Sequence, residues 1–328
     1  MADFPSRLPD LPGRYKALSV DYIFDNLSTS PKEYYKTPLG RIFFVQQEKC
    51  YEARHPCFRM IASGEVGYDV TRGAFESELA LAEFIPSSLR LPVGHGTYHR
   101  RCRLYHYVCE YIDTYYRFPS AAVWAKAAAG LHVRSMKRPA KEFGFHCTNY
   151  VINVPIAHQW KPTWEAAWAA QMKSLLEQDA FLHGIDEEYS KLQAHFFKVV
   201  IPTYLRPLES GGRSITPCLI HSNLGIGNAV TMTHSEHICM LNSSAYWGHH
   251  EAELGVCRIP FLAVGEEYIR EYLKLVPASE PKGEFDIRNA IYAMKHRVLL
   301  SLIHRKCPCF RQTAIDEMRK LVALVVSL

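Results

Sequence analysis

Near residue 112 the hydrophobic pattern of this 328-residue chain changes period, and that change limits the folds open to it. Before it, short apolar runs rich in aromatic and branched residues alternate with polar turns. Arg41–Gln46, Cys57–Ala62 and Leu104–Cys109 are the clearest, and each reads as a strand. One helix interrupts them, predicted over Thr71–Ile85 with Phe75, Leu79 and Ala82 on one face and Pro86 as its stop.

Beyond residue 112 the apolar residues recur at helical spacing. Ser120 and Thr163 are placed to cap two helices, the first turning Val123, Trp124, Ala127, Ala128 and Leu131 inward and the second Trp164, Trp168 and Leu175. Asp186–Leu205 reads as a third helix, which Pro202 must kink or end. A strand at Cys218–His221, a loop, and a hairpin (Ala229–Thr233, a turn at His234-Ser235, His237–Leu241) follow. Helices over Ala263–Leu275, Arg288–Arg305 and Gln312–Val326 close the chain. Strands first and helices later imply an α+β fold with two lobes, a strand-rich one over 1–112 and a helical one over 113–328.

Composition removes several function classes. Lys+Arg 38 against Asp+Glu 33 leaves a net charge of only +5. The densest basic patch, Arg90, Arg100, Arg101 and Arg103, lacks interleaved aromatics and reads as solvated surface, so no nucleic-acid partner is expected. No run approaches the roughly 18 apolar residues of a membrane span, and Met1-Ala2-Asp3-Phe4-Pro5 lacks a secretory layout. Ten scattered cysteines suit reduced thiols, and the expected compartment is the cytoplasm. Cys307-Pro308-Cys309 beside His304 has no second pair at zinc spacing. No G-x-S-x-G elbow points to a hydrolase.

The chemistry-bearing segment is His221-Ser222-Asn223-Leu224-Gly225-Ile226-Gly227-Asn228. Its spacing is that of a kinase catalytic loop, H-R-D-L-x-x-x-N, with Asn223 where the Asp should stand. In that scheme the Asp accepts the substrate hydroxyl proton and the Asn five residues later holds magnesium. Leu241-Asn242-Ser243 follows the hairpin, where a second metal-binding Asp would stand.

With these residues the chain resembles the fructosamine-3-kinase and protein-ribulosamine 3-kinase family, relatives of the aminoglycoside phosphotransferases. The family loop H-G-D-L-W-x-G-N corresponds to His221–Asn228, with Gly225 in place of its tryptophan, and its F-D-P/A-x-S block corresponds to Leu241–Leu254. Further matches are Phe143-Gly144-Phe145-His146 with Asn149-Tyr150, then Trp160 and Trp164, then Arg206-Pro207-Leu208-Glu209-Ser210. Gly265-Glu266-Glu267-Tyr268 resembles the fungal branch, and the similarity runs from about residue 55 to 325. It implies a protein-kinase-like fold, ATP and magnesium as cofactors, and a glycated amine or protein as substrate.

Residue by residue, the resemblance assigns His221 and Asn223 to the catalytic loop, and Asn228 and Asn242 to the metal. It assigns Arg59, Glu76 (with Glu78 as competitor), Glu110 and Ile112 to the nucleotide. Three of these positions depart from the pattern. Asn223 is a neutral amide where a base is needed, Asn242 removes a carboxylate that magnesium favours, and Arg59 replaces a lysine that grips phosphates. The stretch Ser19–Gly40, where a glycine-rich phosphate loop belongs, offers only Gly40. Glu251 and Glu253 read either as a retained acidic pair, Glu251 serving as substitute metal ligand, or as solvated or helix-capping carboxylates.

Among the histidines, His249 is expected to brace the loop carrying Asn242, and His249 and His250 to point to opposite faces. His234 and His237 read as exposed, and Trp160, Trp164 and Trp168 as core. The expected function is that of a kinase-family protein with weak or lost phosphotransfer, a pseudokinase that engages a protein partner. The alternative is an active kinase with a rebuilt metal site.

Overall fold

The computed structural model describes residues 33–37, 40–48, 57–98, 103–110, 112, 114–115, 118–233, 237–262 and 264–326. The stretch expected to hold a phosphate loop, 19–40, falls outside them except for 33–37 and 40, as do Arg100, Arg101, Asp113, His234, Ser235 and Ala263. The described chain is mixed helix and sheet, with a small strand-rich part and a larger helical part.

Its strands are β1 (Glu33–Thr37), β2 (Gly40–Glu48), β3 (Cys57–Ser63), β4 (Pro92–Thr97), β5 (Leu104–Glu110), β6 (Thr114–Tyr115), β7 (Asn149–Val151), β8 (Val154–Ile156), β9 (Cys218–Ile220), β10 (Ala229–Met232), β11 (Ile238–Met240) and β12 (Tyr246–Gly248). Its helices are α1 (Gly67–Ala82), α2 (Ala121–Ser135), α3 (Trp164–His183), α4 (Glu187–His195), α5 (Ile201–Leu205), α6 (Glu266–Leu273), α7 (Phe285–Ile303) and α8 (Pro308–Val326).

Residues 1–71 and 91–111 form one compact unit, and residues 72–90 and 112–328 form another. In the first, an antiparallel sheet runs in the order β1-β2-β3-β5-β4. Arg59 sits in β3 between Val45 and Val108 in register. The second unit builds one continuous core from α2, α3, α7 and α8 with β9 and β12 between them. Trp124, Trp164, Trp168, Leu175, Ile220, Tyr292 and Met318 all lie within it, almost wholly shielded.

Three expectations about the helices need correction. The first helix starts at Gly67, four residues before Thr71. The Thr71 hydroxyl bonds back to the Gly67 and Tyr68 carbonyls, which is how a threonine behaves inside a helix rather than at its cap. The Asp186–Leu205 segment begins as expected, with Asp186 accepting from the Tyr189 amide at 2.7 Å. It then changes to a π-helical stretch at Phe196–Val200 just ahead of Pro202, in which the Ile201 amide reaches back to the Phe196 carbonyl, before the α-helix resumes at Ile201–Leu205. In α2, Val123 and Ala127 are only half-buried, and Ala125 takes the inward place beside Trp124.

Two compositional readings also change. Arg90 is 7% exposed and so does not belong to a solvated patch, whereas Arg103 is exposed and faces Glu65 at 3.9 Å. Cys307 and Cys309 are joined in a disulfide, their Cα atoms 5.4 Å apart, so the reduced state does not hold there. Cys109, Cys147, Cys218, Cys239 and Cys257 form no disulfide. Trp160 is 40% exposed and is not core. No described helix is long and apolar enough to cross a membrane.

Among the described glycines, Gly255 gives the closest backbone approach, where a 3-10 segment, His250–Arg258, meets α7. A Cβ added at Gly255 would lie 2.7 Å from the Tyr292 carbonyl carbon and 2.9 Å from the Ala293 nitrogen. Main-chain atoms cannot step aside as a side-chain tip can. Gly255→Ala is therefore expected to lower stability by about 1–3 kcal/mol or more, read as a shift in denaturant midpoint at unchanged slope.

Candidate active-site loop

Strand β9 is buried along its whole length and delivers His221 to the edge of the core. The chain then turns sharply, with Ser222 at φ 71° and Gly227 at φ 84°. A non-glycine residue at such a φ needs outside support. Glu253 supplies it: its carboxylate accepts from the His221 amide at 2.6 Å and the Ser222 amide at 2.8 Å. Glu253 is 1% exposed, which corrects the solvated reading. Burial alone would raise its pKa, but His132 and His221 beside it, together with the His221 amide, hold it below the ordinary value.

His221 is fully buried, and burial lowers its pKa to about 4 against the opposing charge of Glu253, so it is neutral at physiological pH. Its Nδ1 accepts from the Asn223 amide at 3.3 Å, which spends the ring on bracing the loop.

The three asparagines come together. Asn228 Nδ2 donates to the Asn223 carbonyl at 2.9 Å, so its Oδ1 faces Asn242. Asn242 must then present its NH2 group, and it donates to that oxygen at 2.9 Å. Asn223 Nδ2 donates to the Asn242 carbonyl at 3.0 Å and closes the ring. The backbone repeats the clasp, with the Leu241 amide on the Asn228 carbonyl at 2.8 Å and the Ser244 amide on the His221 carbonyl at 3.1 Å. Asn242 takes φ 53°, a conformation that asparagine tolerates better than most residues.

This donor set does not fit magnesium. The two positions assigned to the metal are neutral amides, one oxygen already accepts a hydrogen bond, and its neighbour turns nitrogen rather than oxygen toward it. Magnesium is a hard cation that takes anionic oxygens in strict octahedral geometry, and it gains little from such a pair.

Glu251 does not replace the lost carboxylate. It is fully buried and paired with the equally buried Arg288 through Nε–Oε2 at 2.8 Å and Nη2–Oε1 at 2.9 Å. Its Oε1 also accepts from the Ser279 amide at 2.7 Å, and Arg288 goes on to the Ser279 and Pro281 carbonyls. Potential ligand atoms of His249, His250 and Glu251 lie within 4.8 Å of one another, yet all three side chains have protein partners. The two rings do not point apart as expected. The chain enters the 3-10 segment at His250, and both Nε2 atoms converge on the Ser279 hydroxyl.

The remaining predicted residues are dispersed. Glu76 meets His146 at 3.0 Å on α1, while Glu78 is buried on the same helix. Arg59 and Glu110 belong to the first unit, where the Glu110 amide bonds the Leu91 carbonyl at 2.9 Å, and Ile112 is half-buried in the second.

Sequence reasoning missed Lys295. It lies on the buried face of α7 between Ile291 and Val298, donates to the Ser222 hydroxyl, and sits 4.8 Å above the Tyr246 ring. A lysine on an otherwise apolar stripe was the available signal. Burial lowers its pKa to about 7, with the Glu253 charge opposing the shift. Folded Lys295 thus holds its proton less tightly than it would unfolded, and unfolding takes one up between about pH 7 and pH 10.5. Its contribution to stability falls as pH drops through that window. Relative to Lys295→Met, wild type should lose about 1.4 kcal/mol per pH unit on going down from pH 8.5 toward 7, measured by urea unfolding at each pH.

The family profile described as Fructosamine kinase matches residues 69–323. A protein-ribulosamine 3-kinase, chloroplastic, of Oryza sativa subsp. japonica is 23% identical over 256 residues, covering 77% of this chain and 69% of its own length. Among solved structures, a candidate fructosamine-3-kinase of Haemophilus somnus 129PT superposes with TM-score 0.65 at 15% identity, over 90% of this chain and 91% of its own. An aminoglycoside phosphotransferase in ternary complex with AMP-PNP and hygromycin B gives 0.59 at 16% identity, over 90% and 94%. The structural likenesses establish a kinase-like phosphotransferase fold, and the profile match establishes the family: the chain belongs to the fructosamine kinases.

Proposed function

We propose that this chain is a fructosamine kinase family protein in which phosphoryl transfer from ATP to the sugar of a glycated amine or protein is weak or lost, leaving a ligand-binding or regulatory role. The observation that carries this reading is the closed ring of Asn223, Asn228 and Asn242. An amide at 223 cannot take the proton of a sugar hydroxyl, and general-base help is worth about 10²- to 10⁴-fold. An amide at 242 leaves the charge of transferring phosphate uncompensated. In this reading Arg59, Glu76, Glu110 and Ile112 face the nucleotide, and a protein partner reads the bound state. The proposed compartment is the cytoplasm, in keeping with five described cysteines, Cys109, Cys147, Cys218, Cys239 and Cys257, that form no disulfide.

The test is turnover of ATP with a ribulosamine substrate and magnesium, for wild type and for Asn223→Asp/Asn242→Asp. Wild type is expected near background and the double variant at least about a hundredfold above it. Wild-type turnover at an ordinary kinase rate of about 1–100 s⁻¹ would overturn the reading and favour an active kinase with a rebuilt metal site.

A further inference from the structure

Behind the loop, three histidines and three hydroxyl side chains are stacked in contact, and the chemistry at the two ends settles every hydrogen between them. At one end stands Glu253, a carboxylate that only accepts. His132 Nε2 lies 3.6 Å from Glu253 Oε2, too far for a hydrogen bond, and no described group bonds that nitrogen, so its hydrogen faces the carboxylate rather than a lone pair. With the hydrogen on Nε2, a neutral His132 must accept at Nδ1, where the Tyr272 hydroxyl lies at 2.6 Å. A phenol has one hydrogen. Tyr272 has then spent it, so His250 Nδ1, at 3.2 Å, must donate.

The same step repeats outward. His250 Nε2 is left bare and accepts from Ser279 at 3.2 Å; Ser279 has spent its hydrogen, so His249 Nε2 donates to it at 2.8 Å. His249 Nδ1 is then bare and accepts from the Tyr292 hydroxyl at 2.9 Å. Tyr292 oxygen is left to accept, and the group facing it at 2.9 Å is the Trp164 indole N–H, which can only donate. Starting from the carboxylate and arriving at the indole, no donor meets a donor.

The opposite polarity fails at its end. A protonated His132 would donate through Nδ1 and force every later hydrogen around, so that His249 Nδ1–H and the indole N–H would both point at Tyr292. Its own hydrogen would then be stranded in the core, a costly arrangement. Burial pushes His249 and His250 well below the ordinary histidine pKa, so both are neutral.

We infer that one directed chain of hydrogen bonds runs from the Trp164 indole to His132, which turns Nε2–H toward the Glu253 carboxylate at 3.6 Å and so positions residues 221 and 222 of the loop, with His132 and His249 as Nε2–H tautomers and His250 as the Nδ1–H tautomer. Tyr272 and His250 are thus positioning residues that act on the loop through Glu253. The chain ties the loop geometry to the start of α3, far along the sequence.

Long-range ¹H–¹⁵N correlation spectra of the histidine rings read the tautomers directly in wild type. The alternating pattern Nε2–H, Nδ1–H, Nε2–H for 132, 250 and 249 is the expected result. A charged ring, or His250 in the Nε2–H form, overturns the proposal. A second measurement uses Tyr272→Phe, which removes one hydroxyl and keeps the ring. Amide exchange at residues 221 and 222 should speed up about tenfold, while Tyr189→Phe, whose buried hydroxyl has no partner, leaves it unchanged. Unchanged exchange in Tyr272→Phe overturns the positioning role, and if that variant does not fold, the wild-type tautomers decide.

Discussion

Two backbone amides on one buried carboxylate hold this site together. The bonds from the His221 and Ser222 amides to Glu253 allow Ser222 to keep φ 71°, and everything downstream in the loop starts from that turn. A buried carboxylate is costly unless its lone pairs are filled. Here the two backbone amides fill them, with His132 3.6 Å away across the carboxylate. Changing any of them exposes the remainder to an uncompensated charge, so the loop, α7 and the 3-10 segment form one electrostatic unit.

The second pair of buried charges behaves differently. Glu251 and Arg288 neutralise each other with two-point geometry and are anchored further by the backbone at Ser279 and Pro281. That pair fastens the 3-10 segment to α7 and leaves Glu253, two residues on, free to serve the loop. The acidic pair seen in the sequence therefore divides its labour: one carboxylate fixes the scaffold and the other fixes the turn. At the front of the loop, the asparagine ring does with amide hydrogen bonds what a cation does between carboxylates. It links 223, 228 and 242 without bringing in charge, so this closure needs nothing from solution.

Much of the frame was legible in the sequence. Strands β1–β5 precede residue 112 and seven of the eight described α-helices follow it, though the short strands β6–β12 lie among them; Thr163 and Asp186 cap their helices through their side chains, while Ser120 stands before its helix without such a bond. The loop and its three asparagines were found from spacing alone, because turn geometry ties those residue types to those positions. What escaped were partners chosen by three-dimensional packing. Lys295 and Tyr272 lie 73 and 50 residues beyond Ser222, and neither Lys295 nor Arg288 looks like core. The burial of Glu251 and Glu253 escaped for the same reason: a carboxylate reads as solvated until the groups that satisfy it are placed. The convergence of His249 and His250 depended on the chain leaving extended geometry at residue 250, which adjacent positions in a sequence do not reveal.

Protein groups alone close this loop, a property that calorimetric titration of the purified chain with ATP, in magnesium and then in a chelator, puts to the test. The same affinity, or the same absence of binding, is expected in both buffers, since the asparagine ring offers magnesium no anionic oxygen. Tight binding that disappears with the chelator would contradict it, and would mean that the ring opens to admit a cation.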